Sequence, residues 1–174
     1  MKKFCVSFVA LFAIMFLMYS AASAQLKKPG FIAGGNVMYV SPRSTFANGY
    51  KGGAGGEVFA GVGLGKTYLV GTIGYAQIFA KSGEEGGKIT YKPMKIGIRQ
   101  FILGKQIFVN ADVGTASMKN KVMSSAENRF TRGIGGGVRL AGMEGSIYYD
   151  GWKNKNRSGF SNSLQFKLGW NIAL

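Results

Sequence analysis

The chain of 174 residues contains no histidine, one cysteine and three prolines. Without histidine, the sequence excludes a Ser-His-Asp triad, an imidazole base and a histidine-ligated metal. Cys5 lies in the hydrophobic N-terminal segment, so the chain beyond residue 24 has neither disulfides nor thiol ligands. Acidic residues are also scarce, at 7 against 22 lysines and arginines, which gives a net charge of +15. We therefore expect no metal and no cofactor, and a protein that is attracted to anionic surfaces.

Two short motifs that suggest chemistry are better explained by turns. The segment 60–67, AGVGLGKT, approximates a phosphate-binding loop, but a β-branched and aromatic segment follows it where that motif requires a helix. Glu84-Glu85 is the only adjacent pair of carboxylates, and it lies among glycines with nothing to desolvate it. We therefore expect the chain not to be an enzyme.

The first 24 residues predict a cleaved secretory signal peptide. Met1-Lys2-Lys3 is basic, residues 4–19 are uncharged and mostly apolar, and Ala22-Ser23-Ala24 is a small-residue cleavage site. The apolar run is short for a membrane-spanning helix of about 20 residues. We expect residues 25–174 to form one mature domain, whose net charge is +15 minus the two lysines, or +13. Export, and basic residues scattered along the chain, argue against nucleic acid as a partner.

Glycine is the most unusual component of the mature chain. All 28 glycines follow residue 24, and many lie inside apolar runs. Few helices tolerate this composition, whereas strands use glycine at bulges, at tight curvature and where backbones approach closely. The composition therefore predicts an all-β fold with strongly curved strands.

Eight segments read as strands, and their connections alternate in length. Long polar stretches follow the first, third, fifth and seventh strands, and tight turns near residues 65–66, 104–105 and 141–142 follow the second, fourth and sixth. Short turns at one end and long loops at the other are typical of outer membrane barrels, with the short turns in the periplasm. The predicted strands are residues 31–40, 56–65, 67–80, 88–102, 105–117, 129–140, 143–153 and 163–174.

Several predicted strands have one side without charge. These apolar sides are Val58, Ala60, Val62 and Leu64; Met94, Ile96, Ile98 and Ile102; Ile107, Val109, Ala111 and Val113; and Ile134, Val138 and Leu140. The third strand has no clear face. If the apolar sides contact lipid, the charged residues of the opposite sides are enclosed in the barrel. The enclosed residues are Glu57, Lys95, Arg99, Asp112, Arg139, Glu144, Asp150 and Lys167.

Enclosed charges must be paired, because an isolated buried charge is strongly unfavourable. Eight strands close into a cylinder only wide enough for their own side chains, so we predict a salt-bridged, plugged lumen. Hairpin register suggests the partners. The predicted pairs are Asp112 with Lys95 or Arg99, Arg139 with Glu144, and Asp150 with Lys167.

Pro93 interrupts the fourth predicted strand. Proline removes a donor from the sheet ladder, and the apolar side changes from Ile89 and Tyr91 to Met94 and Ile96 around it. Both features predict a β-bulge at Pro93.

The last eleven residues, 164–174, alternate between apolar and polar without a break. Lys167, Gly169, Ile172 and Leu174 resemble the C-terminal signal by which the outer membrane assembly machinery recognises bacterial β-barrel proteins. That family usually ends in Phe or Trp, whereas Leu174 is aliphatic.

With the signal peptide, the eight strands and the loop pattern, the chain resembles small outer membrane barrels of the outer membrane protein A and X type. The resemblance implies an eight-stranded antiparallel up-and-down transmembrane β-barrel in the outer membrane of a Gram-negative bacterium. It also implies a non-enzymatic protein with a structural, adhesive or surface-interaction role, in contact with outer membrane lipid.

The loops offer the remaining functional residues, because loops on a rigid scaffold often bind partners. A basic extracellular rim is expected to contact the phosphates of lipopolysaccharide, or a host or partner surface. Two alternatives stay open: a small-solute pore, and a secreted soluble β-barrel that binds an apolar ligand. The rim residues are Arg43, Lys51, Lys119, Lys121, Lys153, Lys155 and Arg157.

Overall fold

The computed structural model describes residues 29–83, 87–123, 125–154 and 159–173. The predicted signal peptide, Glu84, Glu85, Lys155, Arg157 and Leu174 therefore lie outside the described residues. The elements are β1 Pro29–Arg43, α1 Phe46–Gly49, β2 Tyr50–Leu64, β3 Thr67–Ala80, β4 Ile89–Leu103, β5 Ile107–Lys119, β6 Glu127–Leu140, β7 Met143–Lys153 and β8 Phe160–Ala173.

The eight strands form one closed antiparallel barrel. Each strand pairs with the next, and β1 pairs with β8 to complete the cylinder. This confirms the predicted fold class. Tight turns join β2 to β3, β4 to β5 and β6 to β7, and Gly65 and Gly104 have the positive φ angles, 66° and 56°, that such turns require. We call this end of the barrel the turn end and the opposite end the loop end.

The second strand begins earlier than the sequence predicts. It starts at Tyr50 rather than near residue 56, so only residues 44–49, with the short helix α1, connect it to β1. Residues 51–56 are glycine-rich and show no alternation. They still form a strand because β1 and β3 supply backbone partners on both sides, with Gly53 opposite Val40 and Ile78.

The outer face of the barrel is apolar along most of its height. The uncharged sides predicted for β2, β4, β5 and β6 all point outward, with Val58 and Ile134 each 63% exposed. The structure also assigns the faces of β3, whose Leu69, Ile73 and Tyr75 point outward. A face of this kind requires an apolar environment, which a bilayer provides. Among the described residues, no helix is long and apolar enough to cross a membrane.

The predicted bulge at Pro93 is wrong. The β3–β4 register is the same on both sides of Pro93, with Ile73 opposite Met94 and Ala76 opposite Tyr91. The apparent change of face has another cause. Tyr91, Pro93 and Lys95 all point inward. The inward side of β4 is apolar near the loop end and charged at mid-height, so the sequence pattern changes although the orientation of the strand does not. The register shift of β4 lies instead between Phe101 and Leu103, next to the turn.

The interior has three layers. A turn-end cluster and a loop-end cluster of apolar side chains enclose a polar layer at mid-height. The helix α1 adds Phe46 to the loop-end cluster, where its ring meets that of Trp152 edge-on at 4.9 Å. The turn-end cluster is Ile32, Phe59, Tyr68, Val70, Phe101 and Phe108. The loop-end cluster is Met38, Val40, Phe46, Ala76, Ile78, Ile89, Tyr91, Ala116, Met118 and Trp152.

Candidate functional site: the polar lumen and the basic rim

One group of ions in the polar layer centres on Asp150, which is fully buried. Its carboxylate accepts hydrogen bonds from the ammonium of Lys95, from the Tyr91 hydroxyl at 2.7 Å and from the Gln165 amide at 2.9 Å. Lys95 also lies 3.4 Å from a carboxylate oxygen of Asp112. One ammonium thus bridges two carboxylates, and the two neutral donors satisfy the other carboxylate oxygen of Asp150.

A second group joins Arg99 of β4 to Glu144 of β7. The guanidinium donates two hydrogen bonds to the carboxylate, at 2.8 and 3.0 Å, in the bidentate geometry that makes such pairs strong. Its third donor, Nε, reaches the side-chain oxygen of Asn110 at 3.0 Å. The rings of Phe59 and Phe108 contact the guanidinium, with centroids 4.7 and 4.4 Å from Cζ. Arg99 is therefore fixed by charge, hydrogen bonds and aromatic contact together.

A third group pairs Lys167 of β8 with Glu57 of β2. The ammonium lies 2.9 and 2.8 Å from the two carboxylate oxygens, and the Asn36 amide donates to the same carboxylate at 3.0 Å. The Lys167 ammonium also lies 4.0 Å from the centre of the Tyr148 ring. All three groups connect strands that are not neighbours in the sheet, so each one crosses part of the lumen.

Two of the pairings predicted from hairpin register are wrong. Asp150 does not pair with Lys167, because Lys95 holds Asp150 and Glu57 holds Lys167. Arg139 lies directly opposite Glu144 in the sheet, but the Glu144 carboxylate turns across the lumen to Arg99. Hairpin register identifies only neighbours along the wall, whereas long side chains in a narrow cylinder also reach the opposite wall.

Other parts of the register prediction agree with the structure. Asp112 lies opposite Gly97, one residue from the expected level, and Lys95 is within reach of it. The sequence reasoning missed the neutral members of the network, although they share the inward parity of the charged residues. These missed residues are Asn36, Tyr91, Asn110, Thr131, Tyr148, Gln165 and Asn171.

The space left inside the polar layer is small. A cavity of about 20 Å³ lies among the three ion groups, lined in part by Glu57, Lys95, Arg99, Asp112 and Lys167. This volume has room for about one water molecule.

The predicted basic rim lies mostly on strand ends. Lys121 is in the connection between β5 and β6, whereas Arg43, Lys51, Lys119 and Lys153 belong to strands, and all five are exposed. Apart from the ions of the polar layer, the loop end of the described chain carries ten lysines and arginines but a single acid, Glu127, which pairs with Arg129. The ten are Arg43, Lys51, Lys81, Lys88, Lys92, Lys119, Lys121, Arg129, Arg132 and Lys153.

The residues of the predicted assembly signal lie on two faces of β8. Lys167 and Gly169 are on the lumen side, and Ile172 is 56% exposed on the outer side. In the part of the chain that the structure describes, no three acidic or cysteine side chains lie close enough together to hold a metal ion.

No family model and no curated protein matches this sequence. Among solved structures, Neisserial surface protein A is similar to this chain, with a TM-score of 0.60 and 11% identity over 83% of this chain and 96% of that one. The Yersinia pestis outer membrane protein Ail in a phospholipid nanodisc gives 0.55 and 12%, over 81% and 99% of the two chains. Ail in complex with the heparin analogue sucrose octasulfate gives 0.51 and 13%, over 84% and 100%. The chain thus has the fold of small eight-stranded outer membrane barrels, which confirms at the level of fold the resemblance seen in the sequence.

Proposed function

We propose that this chain is a non-enzymatic integral outer membrane protein that contacts anionic groups through its basic rim. The observation that carries the proposal is the separation of charge. Four of the acids are inside the barrel, and ten cations with one acid surround its loop end in the described chain. Phosphates of lipopolysaccharide and sulfated or carboxylated saccharides of a host or partner surface are the anions that such a rim would meet.

The fold supports a scaffold role rather than transport. The apolar clusters at both ends, the paired ions between them and the cavity of about 20 Å³ favour a plugged lumen over a small-solute pore. The exposed apolar rows favour insertion in a membrane over a secreted soluble barrel.

Export by the predicted signal peptide and recognition of Lys167, Gly169, Ile172 and Leu174 by the assembly machinery belong to the same proposal. Fractionation of cells should place the protein in the outer membrane, and the folded barrel should migrate differently in gel electrophoresis before and after boiling. Recovery from the periplasm without detergent would contradict this placement.

The rim is tested by binding of the folded protein, in detergent, to immobilised heparin. Among the similar structures, Ail was solved with a heparin analogue, which makes a sulfated saccharide a suitable probe. We expect the wild-type protein to be retained and to elute with salt. Lys119→Gln/Lys121→Gln should elute at clearly lower salt, because both side chains are exposed at the loop end.

The matched control is Lys66→Gln/Lys105→Gln, which removes the same charge from exposed residues at the turn end. It should elute with the wild type. Equal shifts for the two double variants would mean that net charge alone governs retention, and would contradict a binding rim.

A further inference from the structure

One row of residues on the outer face of the barrel crosses four strands near the loop end. Arg132 of β6 lies opposite Gly151 of β7, Gly151 opposite Asn162 of β8, and Asn162 opposite Arg43 of β1. Both arginines are exposed. We call these four residues the arginine row.

The arginine row lies where the aliphatic part of the outer face ends, and the outward residues beyond it on β6 and β8 are the aromatic Phe130 and Phe160. The next outward row toward the turn end contains Ile134 of β6, Tyr149 of β7 and Leu164 of β8. Ile134 and Tyr149 are 63% and 45% exposed. Aromatic residues beside aliphatic ones are typical of the interface between hydrocarbon and headgroups. The arginine row therefore lies at headgroup level when these rows face lipid.

The side chain of Arg132 extends across β7 toward Arg43. Its guanidinium carbon lies 4.1 Å from the centre of the Phe160 ring on β8, two strands away from its own backbone. Gly151 makes this path possible, since it places no side chain between them; even a Cβ there would lie 2.5 Å from the Asn162 side-chain oxygen. Phe130 meets Phe160 edge-on at 6.4 Å and supports the ring. The charge of Arg132 is thus held above β8, the strand next to Arg43.

Neither arginine has an acidic partner among the described residues. Glu57, Asp112, Glu144 and Asp150 take part in the lumen groups. Glu127 pairs with Arg129, on the inward side of β6. Two guanidinium groups without acidic partners along one border of an apolar surface create a positive potential that attracts anions. Guanidinium groups bind phosphate through two parallel hydrogen bonds, which makes phosphate the anion that suits this row.

We propose that the arginine row binds the phosphorylated saccharide headgroup of lipopolysaccharide, whose acyl chains lie along the apolar rows below. Arg132 and Arg43 start from backbones three strands apart, about 14 Å, so the row suits a headgroup with more than one phosphate. Asn162 supplies an amide for the sugar hydroxyls between them. The proposal deepens the proposed function and rests on it for the outer membrane placement, but the site is lateral and distinct from Lys119 and Lys121 of the rim.

The test is native mass spectrometry of the full folded protein in detergent, titrated with bisphosphorylated lipid A. We expect the wild type to bind one lipid A. Arg43→Gln/Arg132→Gln should bind at least ten-fold more weakly, and dephosphorylated lipid A should bind the wild type no better than it binds this variant. Inorganic phosphate at the same phosphate concentration should not displace lipid A, because the acyl chains contribute to binding.

The control is Lys105→Gln, which removes an exposed cation from the turn between β4 and β5, at the opposite end of the barrel from the arginine row. It should bind lipid A within two-fold of the wild type. Equal weakening in both variants, loss of the phosphate dependence, or displacement by free phosphate would each overturn the proposal. The heparin assay compares Lys119→Gln/Lys121→Gln with Lys66→Gln/Lys105→Gln and leaves both arginines in place, so failure of the lateral site and failure of the rim give different results.

Discussion

The bidentate pair of Arg99 and Glu144 gives the sharpest prediction about the lumen. Glu144 is 1% exposed and accepts three hydrogen bonds, two from Arg99 and one from Asn171 at 2.9 Å. Glu144→Gln removes the charge and presents an amide donor to a cation. Removing one partner of a buried pair costs about 3–5 kcal/mol, since the other charge stays buried and unpaired. At about 1.4 kcal/mol per factor of ten, the unfolding equilibrium should shift about 100- to 5,000-fold.

A second substitution should restore much of this loss. Arg99→Met removes the uncompensated charge and places an apolar chain between the rings of Phe59 and Phe108. The remaining cost comes from Asn110, whose side-chain oxygen loses the Nε donor of Arg99, a partner worth about 1–3 kcal/mol. We therefore expect Arg99→Met/Glu144→Gln to be more stable than Glu144→Gln alone.

The assay is reversible urea unfolding of the protein in lipid or micelles, followed by tryptophan fluorescence. Trp152 is buried in the loop-end cluster and Trp170 is 54% exposed on the outer face, so unfolding changes the surroundings of both. Lys92→Gln serves as control and should change the free energy of unfolding by about 0.5 kcal/mol or less, as exposed substitutions usually do. A loss below about 1 kcal/mol for Glu144→Gln, or a double variant no more stable than the single one, would refute a desolvated pair.

Two further pairs of substitutions probe the wall of the barrel. Gly135→Ala should destabilise by about 1–3 kcal/mol, because its Cβ would overlap the Ile147 carbonyl and the Tyr148 ring, whereas Gly145→Ala, with nothing within 4 Å, should be close to neutral in the same urea assay. Ile98→Arg places a charge on the mid-strand outer face and should cost about 2–4 kcal/mol in a bilayer, against about 0–1 kcal/mol for Ser117→Arg near the loop end. Equal costs for the two arginines would indicate that no lipid surrounds the strands.

The alternation of side chains was enough to predict the fold. Every second side chain of a strand lies on the same face of the sheet, so the outward position of residues such as Val58 and Ile134 follows from sequence alone. Alternation does not predict a strand where the residues are too uniform to alternate. Residues 51–56 are largely glycine, and their strand exists because neighbouring strands pair with them.

The partners of the buried charges could not be predicted in the same way. Sequence order gives the neighbours of a residue along the wall, as with Arg139 and Glu144. It does not give contacts across the lumen, which depend on the diameter and stagger of the closed barrel. Pro93 misled the prediction for a related reason, since the inward face changes from apolar to charged along one strand without any bulge.

The most direct test of the account is the conductance of the purified, folded protein in planar lipid bilayers. The account holds that aliphatic rows face lipid while paired ions and two apolar clusters close the lumen. It predicts insertion, verified by protease protection of the strands, with no discrete current steps in molar salt. Stable single-channel steps that scale with salt concentration would contradict it.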